Sequence, residues 1–238
     1  MVFIVVAEAL ADKRIACGLA DRVIILHGPG WIADDLEGNR SWRGIVDGTE
    51  LTKWSEIRNL AVARGVRILG HGRDETGGFD YNATRKVINL CLREVANADA
   101  LLLVRDMDRQ ANERRRSLDE AIIHSAFPVV LALPNPVREA WVLNGFVPKN
   151  AEETARHKQE KAFVGCDPCE RAEEMSGRHD GDRKSPKRSL RVLTGGESER
   201  EEACWALTSL TVLTERGRKT GLADFIAEVE SIFLPLFN

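Results

Sequence analysis

The chain has 238 residues, 43% of them hydrophobic and 30% charged, which is enough for one well-cored domain with an appended subdomain and unlike a disordered chain. Lys and Arg total 34 against 37 Asp and Glu, a formal charge of −3; this excludes a polybasic, histone-like binder while leaving room for a local basic groove. Aromatic residues are 6% with a single Tyr, which argues against a module that stacks unpaired bases.

Met1 leads directly into the apolar run Val2 to Ala7 without a basic stretch before it, so no secretory leader is expected. No apolar segment approaches the roughly 20 residues that span a bilayer, and no membrane partner is expected. Five cysteines, an odd number unevenly spread, point to the reducing cytoplasm.

Val2–Val6 reads as a short buried strand rich in β-branched residues, ending at Glu8. Helix formers from Ala9 to Leu19 predict a helix closing near Gly18. Val23–Leu26 predicts a second strand, stopped by His27-Gly28-Pro29-Gly30. Residues 31–50, with Trp and Ile anchors among Gly, Asp and Asn, read as a long loop or insertion. Thr52 is expected to cap a helix running to about Arg64, with Glu56 near its first turn. Val66–Leu69 predicts a third strand before the glycine-rich stretch Gly70 to Gly78. Asn82 to Asn97 carries an apolar face of Val87, Ile88, Leu90, Cys91 and Val95 and predicts a helix. Ala100–Val104 is the clearest strand and runs into Arg105-Asp106-Met107-Asp108. A basic helix over Asn112 to His124 and a buried strand over Pro128–Leu133 follow.

Buried strands alternating with helices predict an α/β fold with a mostly parallel sheet flanked by helices over residues 1–150. Beyond that point strand-like runs vanish, and residues 151–238 predict a helical C-terminal region. A polar bridge spans 176–188, and two or three helices are expected between Glu197 and Phe233. In parallel sheets functional side chains collect beyond the carboxyl ends of strands, where Glu8, Asp106 and Asp108 fall.

In an extended segment residues two apart point the same way, so Asp106 and Asp108 can face one cation. Glu8, from another strand end, would complete an oxygen-rich site suited to Mg²⁺ or Mn²⁺. The plain structural alternative is that these acids cap helices or solvate loops.

The order of motifs resembles the Toprim domain. A first strand ends in Glu8 with Asp12 four residues on, and a later strand ends in Asp106-Met107-Asp108. The next strand leads into Pro134-Asn135-Pro136-Val137-Arg138-Glu139-Ala140-Trp141, and Ser185-Pro186-Lys187 precedes a helix. These last two are similar to segments of a stand-alone bacterial Toprim-like group related to OLD-family nucleases. The resemblance covers about residues 1–145 and the Pro-Lys helix, and departs at Ala9, where many Toprim domains have Gly.

The resemblance implies a Rossmannoid core and Mg²⁺ or Mn²⁺ held by Asp106 and Asp108. Glu8 would be a metal ligand or proton-transfer group, and Asp12 a further ligand or a solvated carboxylate. Glu139 would bind a second metal, orient the first, or serve only as an acid at a helix N-terminus. Lys187 would neutralise phosphate charge, or be one surface lysine among many. The implied activity is a metal-dependent nuclease or related phosphodiester hydrolase, on DNA ahead of RNA, with a place in defence against phage by association. Two alternatives stay open: a non-catalytic module binding nucleic acid or a partner protein, its own second copy included, and an enzyme acting on a small phosphorylated substrate.

Two basic segments, Arg109 with Arg114, Arg115 and Arg116, and Arg178, Arg183, Lys184, Lys187, Arg188 and Arg191, either track a phosphate backbone or are solvated faces paired with Glu113, Asp119 and Asp182. Cys166-Asp167-Pro168-Cys169 has metal-like spacing but lacks the second cysteine pair of a structural zinc site. His179 is only a speculative third ligand, and Asp167-Pro168 reads as a helix start. His27 and His71 lie in glycine-containing loops and receive no role. No Gly-Lys-Ser/Thr follows a glycine-rich loop, so ATP hydrolysis is not expected.

Overall fold

The structure is a computed structural model that describes residues 1–67, 78–108 and 110–238. The chain divides into two compact units. One comprises residues 1–105, 110–132 and 228–238; the other comprises 106–109 and 133–227.

The first unit is α/β. Its strands are β1 (Val2–Ala7), β2 (Ser41–Arg43), β3 (Thr52–Lys53), β4 (Ala100–Val104) and β5 (Val129–Ala132), and its helices are α1 (Leu10–His27), α2 (Ile32–Asn39), α3 (Ile57–Ala63), α4 (Phe79–Glu94) and α5 (Ala111–Ile122). All pairings are parallel, in the order β2-β1-β4-β5, and β3 also pairs with β1. Val6 pairs with Leu103 on one side and Thr52 on the other, so β2 and β3 share the β1 edge that faces away from β4. All five residues of β4 and all four of β5 are buried, the continuous apolar pattern of strands covered on both faces. The α/β fold with helices flanking a parallel sheet is thus as expected, with α4, β4, α5 and β5 within a few residues of their predicted bounds.

Three expectations are corrected. Val23–Leu26 is not a strand but the last turns of α1. The burial of Ile15, Leu19 and Val23, and of Ala16, Ala20 and Ile24, recurs every four residues, while Ile25 and Leu26 are exposed. Gly18 is simply absorbed in that helix, and His27 is its last residue. Residues 31–50 hold α2 and β2 rather than a plain loop. Trp42, half-buried, packs on the fully buried Phe3, with ring centroids 4.8 Å apart, and that contact helps hold β2 to the sheet. Thr52 lies in β3 and caps nothing; its hydroxyl accepts from the Ile45 amide at 2.8 Å. The turn before α3 is closed instead by Glu56, whose carboxylate accepts from the Lys53 amide at 3.0 Å. The strand predicted at Val66–Leu69 and the glycine-rich stretch after it fall largely outside the described residues, and Val66 and Arg67 are not in a strand.

Residues 228–238 complete this unit. A π-helical turn, Val229–Phe233, packs on α1 and β5, and Phe233 stacks on Phe3 at 5.0 Å and 22°. Phe237 meets Phe3 edge-on at 5.9 Å. Glu228 accepts from the Leu131 amide at 2.8 Å and pairs with Arg115.

The second unit is helical: α6 (Arg138–Asn144), α7 (Ala151–Val164), α8 (Pro186–Thr194), α9 (Ser198–Ala206), α10 (Leu210–Arg216) and α11 (Leu222–Glu228), whose last residue is counted with the first unit. Its core holds Trp141, whose ring stacks on Phe225 at 5.1 Å and whose Nε1–H donates to the Thr220 carbonyl at 2.7 Å. A helix does follow Ser185-Pro186-Lys187. Ser185 caps it by accepting from the Arg188 amide, and Pro186 sits in the first turn, where its missing N–H costs nothing. The change of texture expected near residue 150 falls inside this unit, because α6 packs against α8, α9 and α10. No described helix is long and apolar enough to cross a membrane.

β4 lies between β1 and β5 and is buried along its whole length. Leu102→Ala, at a fully buried side chain, is expected to cost about 2–5 kcal/mol, read as a lower midpoint in urea denaturation of the full chain.

Candidate metal centre

In the α/β unit Glu8 follows β1 directly and is exposed. Its Oε1 accepts from Arg105 at 2.9 Å. Arg105 follows β4; its Nε lies 3.3 Å from Asp80, whose other oxygen accepts from Arg114 at 2.9 Å. Both arginines and Asp80 keep under 15% of their side-chain surface, so each charge is held by its opposite rather than by water. The Arg105 guanidinium also lies 5.5 Å from the Trp54 ring centroid, and the Trp54 Nε1–H donates to the Val104 carbonyl at 2.7 Å. Asp12 occupies the first turn of α1, where its carboxylate accepts from the Ala9 amide at 2.8 Å. That bond satisfies a free amide at the helix start.

In the helical unit the segment Asp106-Met107-Asp108 is tied to Pro134–Arg138 by three hydrogen bonds. Met107 N donates to Pro134 O at 2.9 Å, and Asp108 N to Pro136 O at 2.8 Å. The Asp106 carboxylate accepts from the Arg138 amide, the first of α6, at 3.0 Å. A carboxylate at that point is favoured by the helix dipole and by its free amides. Met107 is buried between a half-buried Asp106 and an exposed Asp108. The extended conformation ends there, because Asp108 has φ +49, a left-handed value that Asp tolerates better than most residues. The simple alternation invoked for an extended Asp-x-Asp therefore stops at Asp108. Glu139, next on α6, is buried and pairs with Arg138 at 3.0 Å.

Lys187 is exposed on the first turn of α8 and makes no ion pair among the described residues. The other cations of the two basic segments are mostly committed. Arg114 pairs with Asp80, Arg115 with Asp119 and Glu228, and Arg116 with Glu120. Lys184 pairs with Glu174, Arg188 with the buried Glu160, and Arg191 with Asp180. Arg109 lies outside the described residues, as does His71; His27 pairs with Glu230 at 2.6 Å. A cleft of about 220 Å³ in the α/β unit is lined by Arg43, Asp47, Arg64 and Glu94, and its two arginines are paired to its two acids.

Among the described residues, one group of three His, Cys, Asp or Glu side chains brings its ligand atoms within 4.8 Å of one another: His157, Asp167 and Cys169, all in the helical unit. Asp106, Asp108 and Glu139 are not gathered to that spacing. His157 was missed in the sequence, because it sits on α7, ten residues before Asp167, at a distance no short motif spans. His179 takes no part, and Asp167-Pro168 begins a turn rather than a helix. The Asp167 carboxylate accepts from the Cys169 amide at 2.9 Å and meets His157 Nε2 at 3.0 Å and Lys161 Nζ at 2.7 Å. Burial pushes the Asp167 carboxyl up, but the bonds from His157, Lys161 and the Cys169 amide outweigh it and hold it well below the usual carboxylate range. Burial pushes the Cys169 thiol well above its ordinary value, and likewise those of Cys91, to about 12, and Cys204, to about 11. None of these three is a reactive thiolate at neutral pH.

No protein-family model, curated protein or solved structure matches this chain.

Two outcomes follow for these acids. Asp106→Ala removes the acceptor at the start of α6 and is expected to cost about 1 kcal/mol, whereas Asp106→Asn keeps an acceptor and most of that stability; denaturation midpoints of the two variants check this. Because the folded-state value of Asp167 is depressed, its contribution to stability is complete above about pH 4, the unfolded value, and is lost as the pH falls below it. Asp167→Asn should flatten the acid side of a plot of stability against pH.

Proposed function

We propose that the protein is a metal-dependent phosphodiester hydrolase acting on nucleic acid, with a Toprim-like α/β core. The observation that carries this reading is the tethering of Asp106-Met107-Asp108 to the segment that opens α6. It brings Asp106 and Asp108 beside the start of α6, where Glu139 lies, on segments that follow parallel strands β4 and β5 in sequence, the kind of position from which α/β proteins draw their ligands.

The donor set fits a hard divalent cation: carboxylate oxygens are what Mg²⁺ and Mn²⁺ take. Asp106 and Asp108 would hold the ion, with Glu139 as a further ligand; Glu8 and Asp12 belong to the other compact unit, and their part in the chemistry rests on the family resemblance alone. When bound, such an ion neutralises phosphate charge and makes water a better nucleophile. The protein's own groups supply the rest. The Arg138 amide fixes the Asp106 carboxylate in one orientation, and the Arg138 guanidinium does the same for Glu139. Arg105 holds Glu8, the group assigned to proton transfer, and Lys187 offers a cation to the phosphate. DNA ranks ahead of RNA as substrate, and a role in phage defence follows only from the family resemblance. Five free cysteines suit the cytoplasm, where we place the activity.

A non-catalytic binding module is the second reading. It is favoured by the structural employment of two of these acids: Glu8 is ion-paired to Arg105, and Asp106 serves α6, neither of which needs a metal.

Plasmid, linear DNA and RNA incubated with the full chain in Mg²⁺ or Mn²⁺ separate the two. Cleavage is expected for the wild type and is expected to be abolished in Asp106→Asn and Asp108→Asn. Glu8→Gln should slow it about 10²–10⁴-fold, as loss of a proton-transfer group does. Intact substrates throughout, or equal cleavage by folded Asp108→Asn protein, would overturn the hydrolase; salt-sensitive binding without cleavage would establish the binding module.

A further inference from the structure

We propose that His157, Asp167 and Cys169 form a zinc site in the helical unit, with one coordination position left for water. It uses none of the carboxylates considered above and does not depend on them.

The site is built by the way α7 ends. Gly165, at φ +87, stops the helix in the left-handed conformation open to glycine, and its amide donates to the Lys161 carbonyl at 2.9 Å. The chain then folds back, and Asp167 returns to His157 and Lys161, which lie one turn apart on α7. The Asp167 carboxylate organises the turn by accepting from the Cys169 amide, so Cys169 is placed by the same group that meets the imidazole.

Three neighbours hold the arrangement from behind. The Cys169 carbonyl accepts from Asn144 at 3.0 Å, and Asn144 in turn accepts from Thr220 at 2.6 Å; both of these side chains are fully buried. The Phe146 ring stands edge-on to His157 at 5.8 Å. Restraint of this kind fixes ligand orientation before a metal arrives.

The second, independent observation is Cys169 itself. Its side chain is fully buried, and its sulfur has no hydrogen-bond partner among the described residues, yet it lies within 4.8 Å of the imidazole nitrogen and the carboxylate oxygen. A purely structural cysteine needs no such company. Ligand atoms around a tetrahedral zinc are about 3.3–3.8 Å apart, so closing the site requires movements of about 1 Å.

Charge and hardness select the ion. One thiolate and one carboxylate balance a divalent cation, and a neutral imidazole adds nothing, so the filled site is neutral, as a nearly buried site must be. Sulfur and nitrogen ligands favour zinc over magnesium. Lys161 now occupies the carboxylate; its side chain is 47% exposed, so its ammonium can withdraw to water when the ion enters. On binding, the sulfur–hydrogen bond of Cys169 gives way to a sulfur–zinc bond and the proton passes to solvent.

The test uses the full chain, stripped of metal by a chelator and titrated with Co²⁺ as a coloured stand-in. The expected result is a thiolate-to-cobalt charge-transfer band that saturates at one equivalent and is displaced by Zn²⁺. Cys169→Ser should lose the band, His157→Gln should weaken binding by about tenfold or more, and Cys166→Ser should behave as wild type. Absence of the band in the wild type, its persistence in Cys169→Ser, or its loss in Cys166→Ser would overturn the assignment. Should Cys169→Ser fail to fold, His157→Gln carries the test alone, and unchanged affinity in it would overturn the site.

Discussion

A wholly buried strand that runs straight into charge is the constraint on which much else depends. Ala100–Val104 has no exposed residue, and the next four are Arg105, Asp106, Met107 and Asp108. Emerging charges cannot stay in an apolar interior unpartnered. Trp54 satisfies the last strand carbonyl, and Glu8 and Asp80 take the arginine. Within the helical unit, the first amide of α6 takes the aspartate, while Met107 returns to the interior. Much of the polar architecture near this strand end answers a single desolvation problem, and the proposed chemistry would be drawn from groups first recruited to solve it.

The same economy explains the near-neutral charge. Arginines that look like a basic stripe in the sequence are paired nearly one for one with acids, several of them on the same helix at a spacing of four. Pairs this exposed stabilise little, but they leave few free cations. Deeper in the helical unit the pairs are fixed more firmly: Arg200 meets both oxygens of Glu153 at 2.8 and 2.9 Å, each side chain nearly buried. Planar, two-point contact of this kind gives direction as well as charge balance.

What the sequence made legible was whatever a short window contains. β4 and β5 are uninterrupted apolar runs, and the break after them into charge or proline is visible locally. Val23–Leu26 misleads because four consecutive apolar residues fit a strand or a helix equally well. Only the burial of Ile15 and Leu19 behind them, two turns back, decides for the helix. β2 and β3 are three and two residues long and owe their existence to β1, so their own residues carry no strand signal. The acids at strand ends could be named from order alone, but not their partners: Arg105 reaches Glu8 across 97 positions. His157 escaped for the same reason, since it meets Asp167 and Cys169 only because Gly165 reverses the chain.

The aromatic contact between Phe3 and Phe233 ties the first strand of the α/β unit to a turn made by the last residues of that unit. A ribosome delivers these two side chains 230 positions apart, with the entire helical unit emerging between them. The flank of the α/β unit that Phe233 covers can therefore close only after the helical unit has been synthesised. The unit inserted in sequence can thus be complete before the one that encloses it, because every residue of the helical unit precedes the segment that finishes the α/β unit.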